Sequence, residues 1–244
     1  MQDYLKDIVQ HTQALGFIDL VKITGDQNET KLIALAEDKS VVVDAKFKNP
    51  VPEFMGTFGM PNLGKLNTIL GIPEYKENAK LSITTKKDAN GADIPDGIHF
   101  ENAAGDFKND YRFMTANVIN DKLKNQKMRP VKWHVDIVPT NQNIQRLRFQ
   151  AQANSEETTF TAKTDNGALK FFFGDHSSHA GNFVFQDSVS GTLAKSWSWP
   201  VNAFIAILAL PGDKTVKISD EGAAMITVDS GLAEYSYILP AQTK

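Results

Sequence analysis

Residues 200–239, PVNAFIAILALPGDKTVKISDEGAAMITVDSGLAEYSYIL, decide the fold, because residues 61–114 say nearly the same thing earlier in the chain. In the later stretch Phe204, Ile207, Leu208 and Leu210 fall at helical spacing after Pro200. Leu208-Ala209-Leu210-Pro211 then ends the run, since proline cannot continue a helix. Three β-rich segments follow, at 216–219, 225–229 and 235–239. In the earlier stretch Pro61, a favoured first-turn proline, opens a run carrying Leu63, Leu66, Ile69 and Leu70. Leu70-Gly71-Ile72-Pro73 closes it, and segments 80–84, 98–102 and 111–114 follow as strands. Both stretches therefore read as strand, helix, Leu-x-hydrophobic-Pro and a three-stranded meander.

Working outward, two more helices precede triplets of strands. The first places Leu5, Ile8, Val9, Thr12 and Leu15 at offsets of three and four and stops at Gly16. The other follows Thr140, with Ile144, Leu147 and Ala151 inward. The chain is thus expected to use a βαβββ unit four times, in two pairs, with a first strand that is absent or very short. The expected class is α+β with two similar domains, 1–116 and 131–244. Between them 117–130, NVINDKLKNQKMRP, is polar with scattered apolar residues and reads as an exposed connector.

Composition excludes several functions. Lys and Arg number 26 against 29 Asp and Glu, a formal charge of −3, so no nucleic-acid coat built on net charge is possible, while a local basic surface is. The absence of cysteine removes disulfides, thiol catalysis and zinc–thiolate sites. There is no P-loop, G-x-S-x-G, H-E-x-x-H or G-x-G-x-x-G. His176 and His179 form an H-x-x-H pair in a Gly/Ser-rich turn, without the third ligand that zinc needs. No enzyme, metal or cofactor is expected. The polar start and the lack of a long apolar run give no signal peptide or membrane span and point to the cytoplasm.

The polar faces of the helices carry more information. The first offers Gln2, Lys6, Gln10 and Gln13, with Asp3 and Asp7 at the margin; the second offers Asn62, Lys65 and Thr68. The third offers Gln145, Arg146, Arg148 and Gln152, and no acid occurs between Thr140 and Asn154. Ordinary solvated faces usually mix signs, and that plain reading stands beside a functional one. In the functional reading Lys6, Gln10, Gln13, Lys65, Gln145, Arg146 and Arg148 face phosphates without reading sequence.

The last strand, Tyr235-Ser236-Tyr237-Ile238-Leu239-Pro240-Ala241, exits through a proline. With the connector and the Leu210-Pro211-Gly212 turn, it resembles the end of DNA sliding clamps, the proliferating-cell-nuclear-antigen and T4-type phage family. Trp199-Pro200-Val201-Asn202-Ala203-Phe204 before Ala209-Leu210-Pro211-Gly212 is most similar to the phage branch. The resemblance covers nearly the whole chain as a pattern. It implies sheets outside and helices lining a ring, a homotrimer around double-stranded DNA, loading by a clamp loader and tethering of a DNA polymerase, in the host cytoplasm if phage-encoded. It also implies an apolar cleft for a partner's hydrophobic peptide, with Val118, Ile119, Leu210, Pro211, Tyr237, Leu239 and Pro240 as candidates; the other reading makes Tyr237 and Leu239 core residues. The alternatives are a non-enzymatic β-rich structural or interaction protein of a phage and, more remotely, a hydrolase with its site spread over loops.

Overall fold

The computed structural model of the chain describes residues 1–88, 90–124, 130–175 and 179–242. Among these, one compact unit takes 1–39, 43–124 and 230–235, and a second takes 40–42, 130–229 and 236–242.

Unit 1 opens on helix α1 (Gln2–His11) and a 3-10 turn, Gln13–Leu15. Strands β1 (Leu20–Gly25), β2 (Thr30–Leu35), β3 (Val42–Phe47) and β4 (Gly56–Pro61) lie in the order β4-β1-β2-β3. Helix α2 (Leu63–Leu70) leads to the sheet β5-β6-β7, formed by Lys80–Lys87, Asp93–Glu101 and Lys108–Arg112. The ladders are antiparallel, and alternation fixes their register: β2 buries Leu32 and Ala34 while Lys31 and Ile33 stay half-exposed. Leu5, Ile8, Val9, Leu63, Leu66 and Ile69 turn the helices' apolar stripes into the core with Phe54 and Phe58. Asp7, expected at the helix margin, is buried as well. Its Oδ2 accepts hydrogen bonds from Tyr235 (2.8 Å) and Ser230 (3.0 Å), and His11 stacks on the Tyr235 ring at 4.7 Å. A buried carboxylate is tolerated only when it is bonded in this way.

The beginning of the expected connector is helical. Helix α3 (Ala116–Lys122) buries Ile119 against β4, with Leu123 one turn further on. Just before it, Met114 and Gly59 exchange both backbone hydrogen bonds, at 2.8 and 2.9 Å. A Cβ on Gly59 would lie 2.8 Å from Ile119 Cδ1, so the glycine leaves the hollow that Ile119 fills. The connector residues 125–129 lie outside the described residues.

Unit 2 repeats the plan with its first strand present. The first βαβββ copy is β8 (Val135–Ile137), α4 (Asn141–Ala153), β9 (Thr159–Asp165), β10 (Ala168–Phe173) and β11 (Gly181–Gln186). The second copy is β12 (Ser198–Pro200), α5 (Val201–Leu208), β13 (Asp213–Ser219), β14 (Ala223–Asp229) and β15 (Ala233–Pro240). The sheets run β11-β10-β9-β12 and β15-β14-β13-β8. The first of these sheets packs Phe160 on Phe171 (4.5 Å) and Phe204 (5.0 Å), and Phe171 on Phe185 (4.4 Å). The mixed α/β architecture with antiparallel sheets and a two-domain repeat is the class read from the sequence. Among the described residues no helix is long and apolar enough to cross a membrane.

Candidate nucleic-acid interface

In each unit two helices pack against one another, α1 with α2 and α4 with α5. Helices α1 and α2 run antiparallel. Gln13, past the end of α1, accepts from Asn67 Nδ2 at 3.4 Å, and Gln2 at its start donates to Tyr75 O at 3.1 Å. Asp19 finishes the start of α2, its carbonyl accepting from Leu63 N and its carboxylate from Gly64 N (3.3 and 3.1 Å). Helix α4 begins with a capping box. Thr140 Oγ1 accepts from Asn143 N at 3.2 Å, and Asn143 Oδ1 accepts from Thr140 N at 2.7 Å. Asn143 Nδ2 also donates to Phe185 O, which fixes the rotation of α4 on β11.

On α1 the exposed stripe is Asp3, Lys6 and Gln10, three and four residues apart; Gln13 is half-buried beside Asn67. Lys65, Asn67 and Thr68 are exposed on α2. Asp3 is the sole acid of the α1 stripe, since Asp7 points into the core. On α4, Gln142, Gln145, Arg146, Phe149, Gln152 and Ala153 are exposed, whereas Arg148 is half-buried at the edge of the inward face. Arg146 lies over the Phe183 ring, 5.5 Å from its centre. Sequence spacing grouped Arg148 with Arg146. The helix phase set by Ile144 and Leu147 instead puts Phe149, 66% exposed, in the middle of the stripe. Helix α5 contributes Asn202 and no cation.

Most of the paired cations lie on strands. On the β5-β6-β7 sheet, Asp96 of the central strand takes Lys86 of β5 (2.7 Å) and Arg112 of β7. Glu101 in the same strand takes Lys80 (3.5 Å) and Lys108 (2.9 Å). Hydrogen bonds from Lys86 and Lys108, respectively, hold these carboxyls below the usual carboxylate range. Glu29 likewise takes Lys31 and Lys46, Asp165 takes Lys170, and Asp136 takes Lys217. Exposed pairs of this kind add little stability, but they cancel charge locally. Among the described residues, none of Lys6, Lys65, Arg146 and Arg148 has a carboxylate within ion-pair distance. An acidic chain thus leaves its uncancelled helix cations beside amide side chains.

The candidate peptide-cleft residues divide by burial. Period-two alternation along β15 sends Ala233, Tyr235, Tyr237 and Leu239 inward, and Trp199 Nε1 donates to Leu239 O at 3.3 Å. Tyr237, Leu239 and Ile119 are fully buried and Leu210 nearly so, while Val118, Pro211 and Pro240 are exposed. For Tyr237 and Leu239 this is the core alternative of the sequence reading. Of the H-x-x-H pair, His179 is exposed and His176 lies outside the described residues. No cluster of three potential metal ligands occurs among the described residues.

No protein-family model and no curated protein matches the chain. Solved structures do. The chain is similar to the proliferating cell nuclear antigen of A. fulgidus in a structure with the C-terminal region of FEN-1 bound. The TM-score is 0.69 at 10% identity, covering 100% of this chain and 97% of that one. It is also similar to the proliferating cell nuclear antigen of Thermococcus kodakaraensis, with a TM-score of 0.67 at 12% identity, covering 99% and 97%. Nearly complete mutual coverage shows that the chain has the sliding-clamp fold.

Proposed function

We propose that this chain, whose fold is that of a sliding clamp, is a DNA polymerase processivity factor: a homotrimer that encircles duplex DNA and tethers a replicative polymerase. The carrying observation is the segregation of charge on that fold. Most strand cations are paired with carboxylates, while among the described residues Lys6, Lys65 and Arg146 have none within ion-pair distance and stand on helix faces that carry Gln or Asn. Amide and cationic side chains contact phosphates without reading sequence, and scattered weak contacts permit sliding. Enclosure, rather than affinity, holds a ring on its DNA, so a net charge of −3 is compatible with the task.

A closed ring must be opened, which calls for a clamp loader as partner. Polymerase and loader attach through short hydrophobic segments, and the accessible candidates are Val118 in unit 1 and Pro211 and Pro240 in unit 2. A partner-bound neighbour in the same fold supports a protein-docking role. The stretch 199–212 supports a phage replisome in the host cytoplasm as the setting. Nothing in the reading requires catalysis by this chain.

Two measurements test the proposal. Sedimentation should give about three times the chain mass of 27.0 kDa. Reversal of Lys6, Lys65 and Arg146 to Glu should keep the circular dichroism spectrum while abolishing low-salt duplex binding, because exposed substitutions shift stability by only about 0.5 kcal/mol. A monomer at every concentration, or unchanged DNA binding by the triple variant, overturns it.

A further inference from the structure

The outward stripe of α4 carries more than a phosphate-facing helix needs. A surface built only to meet a polyanion has no use for an exposed aromatic ring. Here Gln142, Gln145, Arg146, Phe149 and Gln152 occupy successive outward turns, and Phe149 is 66% exposed at the centre. Other large apolar side chains of α4, Ile144 and Leu147, are buried, so the phenylalanine is out because the helix phase puts it there. That phase is fixed independently by the Asn143–Phe185 hydrogen bond. Arg146, one turn before Phe149, is anchored over Phe183 and among the described residues has no carboxylate within ion-pair distance, and residues 140–154 contain no acid. The surroundings of the ring therefore favour an anionic occupant over another apolar protein surface.

Taking DNA as the ligand of this face, on which the inference rests, we propose that Phe149 is a stacking contact for an unpaired nucleobase, with Arg146 taking its phosphate and the flanking glutamines its polar edge. The bases inside a duplex are stacked on both sides and offer no free π-face to a ring lying alongside. An unpaired base offers one, and stacking on aromatic side chains is the sequence-tolerant way proteins hold single strands. Glutamine can donate to or accept from any base edge, which suits the same tolerance. The consequence is a preference for DNA carrying a single-stranded extension, the form presented by a primer–template junction, over blunt duplex.

The test uses the intact protein and two fluorescein-labelled DNAs at low salt, a blunt duplex and the same duplex with an oligo-dT tail. Wild type should bind the tailed DNA more tightly. Phe149→Ala and Phe149→Leu should each lose about tenfold on the tailed DNA, within the range contributed by one base–aromatic stack, and little on the blunt one. Phe149→Tyr should restore the preference, and the salt dependence should stay as in wild type, because no charge has been removed. Equal binding of both DNAs by wild type, or wild-type affinity in Phe149→Ala, overturns the inference. Wild-type affinity in Phe149→Leu would show an apolar rather than a stacking contact and overturn it too. A change in sedimentation mass in Phe149→Ala would assign the ring to contact between copies and overturn the stacking role. If Arg146→Glu leaves all binding unchanged, the DNA reading of the face itself fails; if Arg146→Glu weakens binding and Phe149→Ala does not, only the stacking contact fails.

Discussion

Gly59 lacks a side chain at the one point of β4 where Ile119 of α3 needs the space. A Cβ added there would lie 2.8 Å from Ile119 Cδ1, the end of a side chain that is itself fully buried. Gly59 also exchanges two backbone hydrogen bonds with Met114, which holds the strand where it is. Gly59→Ala should therefore destabilise by about 1–3 kcal/mol, the usual cost of overpacking a closed site. Urea denaturation checks this. Adding Ile119→Ala to Gly59→Ala should cost less than the sum of the two single changes, since the shortened side chain vacates the hollow; simple additivity would disprove the contact. The same residue-scale logic explains Asp7: its carboxylate serves Tyr235 and Ser230 and is lost to the helix surface.

At the scale of elements, the β5-β6-β7 sheet is laced by two carboxylates on its central strand. Asp96 and Glu101 each bond a cation from both neighbours, and their pKa values lie below the ordinary ones. A carboxyl whose pKa is lower folded than unfolded contributes stability that is present above its unfolded pKa and lost as pH falls through the folded one. The contribution should thus be complete near pH 6 and fade below about pH 4. In urea titrations the gap between wild type and the Asp96→Asn/Glu101→Gln variant should stay constant from neutral pH to about pH 5 and narrow below about pH 4. A gap independent of pH would mean that the pairs do not act through charge. Helix α4 shows the complementary case, because no acid sits on it to cancel Arg146.

At the scale of the whole molecule, the repeat leaves comparable sheet edges open in its two halves. Strand β3 ends the first βαβββ copy of its pair, and just beyond it Lys48 N donates to Leu232 O at 2.9 Å, in the segment that opens β15. Strand β11 holds the equivalent place in unit 2, and β7 is the equivalent of β15 in unit 1. Both β11 and β7 are sheet edges in the single chain. Open edges invite pairing, and in the homotrimer proposed above a join of β11 of one copy to β7 of the next would build the ring from identical links. Hydrogen exchange at high and low protein concentration tests this. Amides of 181–186 and 108–112 should gain protection on assembly while those of the central strands β6 and β10 stay unchanged. Protection confined to other segments would place the subunit contact elsewhere.

The sequence by itself determined the strands, the four amphipathic helices and their repetition, because periods of two and 3.6 residues and the Gly and Pro stops are local properties. It also carried a faint signal for α3, the four-residue spacing of Ile119 and Leu123, hidden by the polar residues around them. It marked the helix cations but not which of them remain free of acids. Whether Lys86 and Arg112 are cancelled depends on Asp96 of a strand between theirs, and that partner is reached only when the sheet forms. Whether Tyr237 and Leu239 offer an apolar cleft depended on strand phase, which turned them inward with Tyr235. The exposure of Phe149 came from tertiary contact too: the docking of α4 through Ile144, Leu147 and Asn143 set the rotation that spacing alone had placed nearer Arg148. Local periodicity chooses elements, whereas charge cancellation and helix phase are settled by residues distant in the chain, and these decide which side chains are left on the surface.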